Sequence, residues 1–389
     1  MTLLSVADAQ AQLLALGTRL PPETVAASHA LHRYLAAPLI AGCDHPGADV
    51  SAMDGYAIRF SDLPGPWRLS GESAAGKAAP SPFARGSAMR ISTGAAVPED
   101  ADTIVIQEHV EHCDGAVTLI GAGPEKSGAF VRRRGADFIA GATLAQPGAR
   151  ITPALVGLAA LSRNDRLAVT RKPRVGLLAT GNEVANGTLA DANTPMLAAM
   201  LRSLPVEIVT LEVSRDDRTE LAARFEAARG FDIIVTSGGA SVGDHDLVGP
   251  VLLDLGAQID FWRVAMKPGK PLLAGKLGET IVLGLPGNPV SAYVTALLFL
   301  LPLVRAMLGA RDPLPARRTE NLLTAIPATS ERQTYLRAVA TTDGVAPLPG
   351  QDSAMLHELA RADRLIVRPP LAPAVAAGER VETIVLDPA

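Results

Sequence analysis

The sequence predicts a multidomain fold, in which a doubly wound α/β domain is joined to a helical base with an inserted β-rich lobe and to a small C-terminal β-barrel. Strand and helix patterns alternate from Pro173 onward, which is typical of right-handed βαβ units and a parallel sheet. Short β-like runs separated by Gly and Pro fill the region before that alternation. Short strands return beyond Pro313, which favours a separate β domain at the C-terminal end.

A chain of 389 residues is long enough to form several domains with separate cores. Changes in the predicted pattern of helices and strands divide the sequence into four parts. We predict a helical base (residues 1–41 and 146–172), an inserted β-rich lobe (42–145), an α/β domain (173–311) and a C-terminal β domain (312–389). The lobe therefore interrupts the base in sequence.

Three helices are expected in the base. Ser5 and Asp8 have the form of a capping box at the start of the first helix. Pro21 and Pro22 predict the start of a second helix, because proline is favoured in the first turn. Apolar spacing predicts a third helix over residues 152–161.

The remaining elements follow from apolar runs and from the turn residues that bound them. In the lobe we expect strands over residues 55–60, 88–92, 103–108 and 116–120. In the α/β domain we expect strands over 174–179, 206–213, 231–236, 259–264 and 280–283, with helices over 194–204 and 216–229. In the C-terminal domain the clearest strands cover 334–341 and 380–386.

Composition excludes several classes of protein. The net charge of −4 argues against broad affinity for nucleic acid or anionic membranes, since both require a basic surface. Cys43 and Cys113 lie far apart, so neither a disulfide framework nor a thiolate zinc site is indicated. The most apolar run, residues 290–304, is shorter than a membrane span needs and predicts a buried helix. With no visible signal peptide, the sequence predicts a cytoplasmic protein.

One segment of the lobe, residues 71–78, nearly matches a phosphate-binding loop. The match fails because Ala78 follows the lysine where Ser or Thr would hold magnesium, and prolines follow where a helix should begin. We therefore interpret this segment as a surface loop.

Three rigid turns follow predicted strands of the α/β domain. Gly238, Gly239 and Ser241 follow one strand and precede a helical pattern, so backbone N–H groups are available there for an anion. The glycine pair alone is equally consistent with a simple tight turn. Lys267 and Lys270, in a frame of prolines and glycine with Arg263 just upstream, favour a phosphate or oxyanion site.

The third turn consists of Pro286, Gly287, Asn288 and Pro289, and its asparagine is suited to contact the edge of a heterocycle. The carboxyl ends of parallel strands meet at one edge of a sheet, where ligands bind in this class of fold. The three turns together therefore predict the main binding site.

Acidic residues accompany the basic turns. Glu183, Asp216 and Asp246 each follow a predicted strand of the same sheet. Carboxylates beside a phosphate site usually hold Mg²⁺, which prefers oxygen ligands. Singly, each acid is equally consistent with a helix cap, and Asp216 is well placed for one.

The lobe contributes two weaker candidates. Asp54 precedes a glycine turn, a pattern that is more often a simple hairpin. Asp137 follows the basic run that begins at Arg132, and such runs are usually solvated. The lobe alone therefore does not predict a function.

Seven motifs in order along the whole chain resemble the MoeA family, the molybdopterin molybdenumtransferases, whose eukaryotic relatives include the E domain of gephyrin. They are Ser51-Ala52-Met53-Asp54-Gly55-Tyr56-Ala57, Thr93-Gly94 with Pro98, Arg132-Arg133-Arg134-Gly135-Ala136-Asp137, Thr180-Gly181-Asn182-Glu183, Thr236-Ser237-Gly238-Gly239 with Ser241-Val242-Gly243-Asp244, Lys267-Pro268-Gly269-Lys270-Pro271, and Pro286-Gly287-Asn288-Pro289-Val290-Ser291-Ala292. The α/β domain accordingly resembles the MogA type.

The resemblance implies an elongated homodimer of four-domain subunits, in which the α/β domain of one subunit faces the β lobe of the other. It implies conversion of adenylylated molybdopterin and molybdate to molybdenum cofactor and AMP, assisted by Mg²⁺. Contacts with a MogA-type adenylyltransferase and with maturation proteins of molybdenum enzymes are expected. The implied functional residues are Asp54, Thr93, Arg132, Asp137, Glu183, Asp216, Asp246, Arg263, Lys267, Lys270 and Ser353.

Three departures from the family pattern stand out. Val50 replaces the usual asparagine before the Asp54 motif, and His32 replaces a common glycine in the predicted second helix. Residues 360–364 also differ from the usual sequence. The alternatives are a MogA-like adenylyltransferase and a non-catalytic pterin carrier. The adenylyltransferase would have fewer domains than this chain. A carrier could lose the acidic residues, yet this sequence retains Asp54, Asp137, Glu183, Asp216 and Asp246.

Overall fold

The computed structural model describes residues 3–76, 83–238 and 246–386 of the chain. Its helices are α1 (Val6–Leu16), α2 (Pro153–Leu161), α3 (Asn182–Ala185), α4 (Asn193–Leu201), α5 (Arg218–Ala227), α6 (Val248–Asp254), α7 (Pro289–Thr295), α8 (Leu301–Met307) and α9 (Leu356–Arg361). The strands of the first half are β1 (Pro22–Ala26), β2 (Leu39–Ile40), β3 (Val50–Ser51), β4 (Gly55–Ile58), β5 (Trp67–Ser73), β6 (Ser87–Ile91), β7 (Thr103–Ile106), β8 (Val110–Cys113), β9 (Ala116–Leu119), β10 (Val131–Arg132), β11 (Thr143–Ala145) and β12 (Arg166–Thr170). Those of the second half are β13 (Arg174–Ala179), β14 (Glu207–Thr210), β15 (Ile233–Ser237), β16 (Gln258–Arg263), β17 (Met266–Lys267), β18 (Pro271–Leu277), β19 (Thr280–Leu285), β20 (Arg317–Asn321), β21 (Gln333–Ala340), β22 (Val345–Pro347), β23 (Arg364–Arg368) and β24 (Arg380–Val385).

The first predicted helix is present, but it packs away from the base. The Ser5 hydroxyl accepts a hydrogen bond from the Asp8 backbone N–H at 3.1 Å, which confirms the N-cap. Val6, Ala9 and Leu13 then join the same buried cluster as the α/β domain. Helix α1 therefore anchors the N-terminal end of the chain to that domain.

The prediction of a second helix at Pro22 was wrong. Pro22–Ala26 is a strand, paired antiparallel with β12 from Arg166 to Thr170. Proline is tolerated both at a helix start and at the first position of an edge strand, so it does not distinguish the two. The distant partner strand decides between them.

His32 lies in a turn rather than in a helix. Its φ is +65°, in the left-handed region that glycine enters without steric cost. The backbone N–H of His32 donates to the Ile151 carbonyl at 2.8 Å, which joins this turn to the segment before α2. The exchange of a common glycine for histidine therefore falls where a side chain adds backbone strain.

The lobe is built on a six-stranded sheet in the order β7-β4-β6-β5-β9-β8. The predicted strands of the lobe are confirmed with ends that differ by a few residues. Trp67, fully buried, lies in one of its two cores, and Met89 in the other. The first three residues of the phosphate-loop look-alike belong to β5, whereas its last two lie outside the described residues.

The sheet of the α/β domain has the order β14-β13-β15-β19-β18-β16 and is mixed. Its first four strands are parallel, whereas β18 is antiparallel to β19 and to β16. The prediction of a purely parallel sheet was therefore wrong at one edge. The missed strand, Pro271–Leu277, begins with the proline that the sequence indicated as part of a turn.

One helical stretch, Pro289–Met307, is long and apolar enough to cross a membrane by length and composition. However, 83% of its most apolar window is buried inside the protein. Residues from α7 and α8 belong to the largest buried cluster, together with side chains of β13, β15 and β19. This confirms the expected core helix.

The C-terminal strands form a sheet in the order β17-β21-β23-β24-β20, with β22 paired to β21. The predicted strands β21 and β24 are present, but a closed barrel is not confirmed among the described residues. Strand β17, Met266–Lys267, pairs in parallel with the start of β21. The turn that carries Lys267 and Lys270, called the lysine turn below, is thus joined directly to the C-terminal sheet.

Candidate functional site

A cavity of about 1100 Å³ lies at the carboxyl ends of β13, β15 and β19. Main-chain hydrogen bonds hold the three strand ends together. The Thr180 N–H donates to the Ser237 carbonyl at 3.0 Å, and the Gly238 N–H donates to the Leu285 carbonyl at 3.3 Å. The location is the one expected for ligands in open α/β sheets.

Nine of the predicted site residues line this cavity. They are Glu183, Gly238, Lys267, Lys270, Pro286, Gly287, Asn288, Pro289 and Ser353. Five segments that are distant in sequence therefore meet in one place.

Gly238 is required by its geometry. Its φ is +91°, and a Cβ atom added there would lie 2.7 Å from the Thr180 carbonyl oxygen. Any larger residue would push two strand ends apart, so the glycine does more than allow a tight turn. Gly239 and Ser241, the other predicted residues of this turn, lie outside the described residues.

The lysine turn is stiff and its charges are available. A Cβ atom on Gly269 would lie 2.5 Å from the Thr295 methyl group, so the turn packs tightly against α7. Lys267 and Lys270 are exposed in the cavity wall, and neither forms a salt bridge with a described carboxylate. Two cations without a counter-ion among the described residues favour an anionic ligand. Arg263, also predicted here, ends β16 and does not line the cavity.

Asn193, which was not singled out from the sequence, joins two turns of the site. Its side-chain amide donates to the Ser237 hydroxyl and to the Gly287 carbonyl, both at 2.7 Å. A carbonyl only accepts hydrogen bonds, so the second contact fixes the orientation of the amide. Its place at the start of α4 looked like an ordinary helix start in the sequence.

The C-terminal domain supplies the opposite wall. The Asn288 amide donates to the Ser353 hydroxyl at 2.9 Å, and the Val290 N–H donates to the Ser353 carbonyl at 3.2 Å. The buried guanidinium of Arg337 donates to the carbonyls of Gly350 at 2.6 Å and Asp352 at 3.0 Å. Burial lowers the pKa of Arg337, so those carbonyl contacts offset part of its desolvation.

Further lining residues were not named as site residues from the sequence, although Thr180 and Ser291 stand in the quoted motifs. They include Thr180, Asp191, Ser291, Arg332, Gln351 and Asp352. Only long-range packing of the C-terminal domain brings the last three to the cavity, so no local pattern signals them.

The predicted acids are only partly assembled. Glu183 lines the cavity, and Asp216 lies beside the same turn. The Asn182 N–H donates to the Asp216 carboxylate at 3.1 Å, and the Asp216 N–H donates to the Asn182 side chain at 3.2 Å. Asp246 is buried just before α6 and accepts from the Val248 N–H at 3.3 Å.

Of the two interpretations left open for Asp216, the helix cap does not hold. Asp217 is the N-cap of α5, and its carboxylate accepts from the Glu220 N–H at 2.8 Å. Asp216 is thereby left facing the Asn182 turn.

A stability measurement separates these neighbours. Asp217→Ala is expected to lower the free energy of unfolding by about 1 kcal/mol, because the first turn of α5 loses its cap. Asp216→Ala should change it by about 0.5 kcal/mol or less. Urea unfolding of both variants checks this. Equal losses would contradict the assignment of the cap to Asp217.

Within residues 3–76, 83–238 and 246–386, no group of three or more acidic, His or Cys side chains is arranged to hold a metal ion. The predicted triad of Glu183, Asp216 and Asp246 is therefore not preassembled. Mg²⁺ commonly binds through one or two carboxylates plus substrate phosphates and water. Glu183 and Asp216, at the same turn, fit that mode.

The lobe residues form a separate group. Asp54 accepts hydrogen bonds from Thr93, from its N–H at 2.6 Å and its hydroxyl at 2.9 Å. The Thr93 backbone bond is the main cause that lowers the pKa of Asp54, and the carboxylate stays ionised at neutral pH. Arg132 and Asp137 belong to the same lobe, and none of these four residues lines the cavity.

The basic run at Arg132 is only partly solvated. Arg133 forms a salt bridge with Asp49 at 2.5 Å, and Arg134 forms one with Asp44 at 2.5 Å. No described carboxylate lies within 4.0 Å of Arg132. The two pairs fix the loop and leave Arg132 available for a ligand.

Comparison with known proteins gives a consistent result. The chain matches the descriptions "MoeA N-terminal region (domain I and II)" over residues 4–162, "Probable molybdopterin binding domain" over 176–306 and "MoeA C-terminal region (domain IV)" over 321–386. A molybdopterin molybdenumtransferase of Haemophilus influenzae is 37% identical over 73% of this chain and 72% of the relative. One from Synechococcus elongatus is 35% identical over 90% of this chain and 91% of the relative.

Solved structures agree with the sequence relatives. The crystal structure of a molybdopterin biosynthesis MoeA protein from Pyrococcus horikosii superposes with a TM-score of 0.83 and 26% identity, over 100% of both chains. The agreement extends over all parts of the fold, including the lobe and the C-terminal sheet. By sequence, by domain order and by structure, this chain belongs to the MoeA family.

Proposed function

We propose that this protein inserts molybdenum from molybdate into adenylylated molybdopterin, with release of AMP and formation of the molybdenum cofactor. The relatives at 35 to 37% identity carry the name molybdopterin molybdenumtransferase. The observation that carries the proposal is the pair Lys267 and Lys270, two exposed cations in a rigid turn beside a nucleotide-sized cavity. Both substrates are anions, and rigid donors bind anions with little reorganisation.

The anionic groups of the substrate have a defined set of donors. Lys267, Lys270 and the Gly238 turn, with Gly239 and Ser241, hold the pyrophosphate link and the molybdate. Asn288 and Ser353, joined by a hydrogen bond of 2.9 Å, present polar groups to the heterocycle, in a wall completed by Pro286, Gly287 and Pro289. Arg132 and Arg263 add positive charge from outside the cavity lining.

Glu183 and Asp216 would hold Mg²⁺ together with oxygen atoms of the substrate, and Asp246 would support this edge. When bound, the ion neutralises charge that develops as the phosphoanhydride is cleaved. The hydrogen bonds between Asn182 and Asp216 keep the second carboxylate beside the turn that carries Glu183.

The lobe completes the site from a second subunit of a homodimer. Asp54, held by Thr93, and Asp137 orient water or molybdate protons in this arrangement. The support is that neither Asp54 nor Asp137 lines the cavity of its own chain.

The four predicted domains, 1–41 with 146–172, 42–145, 173–311 and 312–389, are the units of this assembly. Cytoplasmic location fits a substrate that passes from a MogA-type adenylyltransferase to this protein and then to maturation proteins of molybdenum enzymes. The adenylyltransferase activity itself is the less favoured alternative, because the lobe and the C-terminal wall serve no purpose in it.

The experiment is release of AMP from adenylylated molybdopterin, with and without molybdate and Mg²⁺. Wild-type protein is expected to release AMP and to yield active cofactor only when molybdate is present. Omission of Mg²⁺ should slow the release. Tight binding of the substrate without any release would contradict the proposal and favour a carrier.

A further inference from the structure

A second cavity, of about 570 Å³, lies where the base, the α/β domain and the C-terminal domain meet. Its volume is within the usual range for small-molecule sites. Its lining includes Tyr34, Arg150, Tyr293, Leu297, Arg305 and Arg318. None of these residues lines the first cavity.

Three arginines of this cavity have no acidic partner among the described residues. Arg150, Arg305 and Arg318 form no salt bridge within 4.0 Å with a carboxylate in the part of the chain that the structure describes. Arg150 donates to the Ser203 carbonyl at 3.4 Å, and Arg305 donates to the Pro313 carbonyl at 3.3 Å. Within residues 3–76, 83–238 and 246–386, the hydrogen-bond partners of these guanidinium groups are such neutral carbonyls, which do not compensate the positive charges.

The surroundings make these charges unusual. Arg305 is half-buried, and burial is the main cause that lowers its pKa; the Tyr34 hydroxyl acts in the opposite direction, and the charge of Arg150 acts in the same direction as burial. Guanidinium groups stay protonated in proteins. The electrostatic repulsion between these neighbouring positive charges therefore persists until an anion binds. A neighbouring arginine, Arg317, is already paired with Glu382 at 2.7 Å.

The walls between the arginines are apolar and aromatic. Tyr34 is 6% exposed, and Leu297 and Leu301 are buried beside it. The Tyr293 hydroxyl donates to the Leu386 carbonyl at 3.4 Å, so its ring is held at the cavity. An inorganic anion would contact only the three arginines, whereas an organic anion would also cover the apolar surface between them.

We propose that this cavity is a second binding site, for an organic phosphate whose aromatic or apolar body packs against Tyr293 and Leu297 while Arg150, Arg305 and Arg318 bind the phosphate. Planar guanidinium groups match phosphate oxygens in a bidentate geometry. The site goes beyond molybdenum insertion, because it uses no residue of the first cavity.

The test is calorimetric titration of the full-length protein with phenyl phosphate and, separately, with inorganic phosphate. Phenyl phosphate is expected to bind more tightly than inorganic phosphate, because only its ring covers the apolar wall. Arg318→Gln should weaken phenyl phosphate binding about tenfold, which corresponds to the loss of one charge-assisted hydrogen bond. Arg150→Gln, also at an exposed residue, should act in the same way.

Arg317→Gln is the matched control, because it removes the same charge one residue away on the same strand. It should change the affinity for phenyl phosphate less than twofold, which corresponds to about 0.4 kcal/mol. Lys276→Ala, at a lysine that lines neither of these two cavities, should likewise retain phenyl phosphate binding. Three outcomes would overturn the proposal: no binding to wild type, equal losses with Arg317→Gln and Arg318→Gln, or binding only after residues 387–389 are deleted. The last would mean that the chain's own end occupies the cavity.

Discussion

Lys267→Ala is expected to lower the rate of AMP release about 10²-fold to 10³-fold, the usual cost of removing one preorganised donor to a developing negative charge. The turn that carries Lys267 is fixed on both sides, by pairing of β17 with β21 and by packing of Gly269 against Thr295. The fold should therefore survive the change, and the ammonium group alone is lost. Single-turnover release of AMP, with the thermal midpoint of unfolding as a parallel readout, measures the effect.

Lys276→Ala is the control for that result. Lys276 belongs to β18, the strand that follows the lysine turn, and lies at the opposite end of the sheet beside Arg171 and Glu279. The same charge is removed from the same chain, so a loss of less than about threefold is expected, in line with weak long-range electrostatics. Equal losses in both variants would show that net charge, and not the position of Lys267, governs the reaction.

The prediction for Lys267 concerns a part of the site that could be recognised from the local sequence alone. Gly238, Lys267, Lys270 and Gly287 stand in turns whose glycines and prolines restrict the backbone, so their function is visible without the fold. Their convergence followed from one rule, that the ends of parallel strands meet at a common edge.

The residues that escaped prediction depend on contacts between distant segments. Arg332, Gln351 and Asp352 reach the cavity only because β21 pairs with β17, and neither strand marks that pairing in its own sequence. The strand at Pro22 and the antiparallel strand at Pro271 were missed for the same reason, since proline opens helices, turns and edge strands alike. The sequence offered Asp216 as a cap, and only the geometry shows that the adjacent Asp217 fills that place.

A mixed dimer should regain activity that neither parent has. Asp54→Asn and Lys267→Ala chains, expressed together with different affinity tags and purified through both, are expected to give about half of the wild-type rate of AMP release per dimer. In such a dimer one site combines both altered residues, and the other combines an unaltered α/β domain with an unaltered lobe. Each variant alone, as a homodimer, should be inactive at both sites.

The reciprocal pairing makes the result decisive. A chain that carries both Asp54→Asn and Lys267→Ala, paired with a wild-type chain, places one alteration in each shared site and should be inactive. If each site were instead built within a single chain, this second dimer would retain about half of the activity and the first would have none. The two dimers contain the same substitutions in equal number, so differences in folding or net charge cannot produce opposite outcomes. What separates them is whether Asp54, held by Thr93 in the lobe, acts on the cavity of its own chain or on that of its partner.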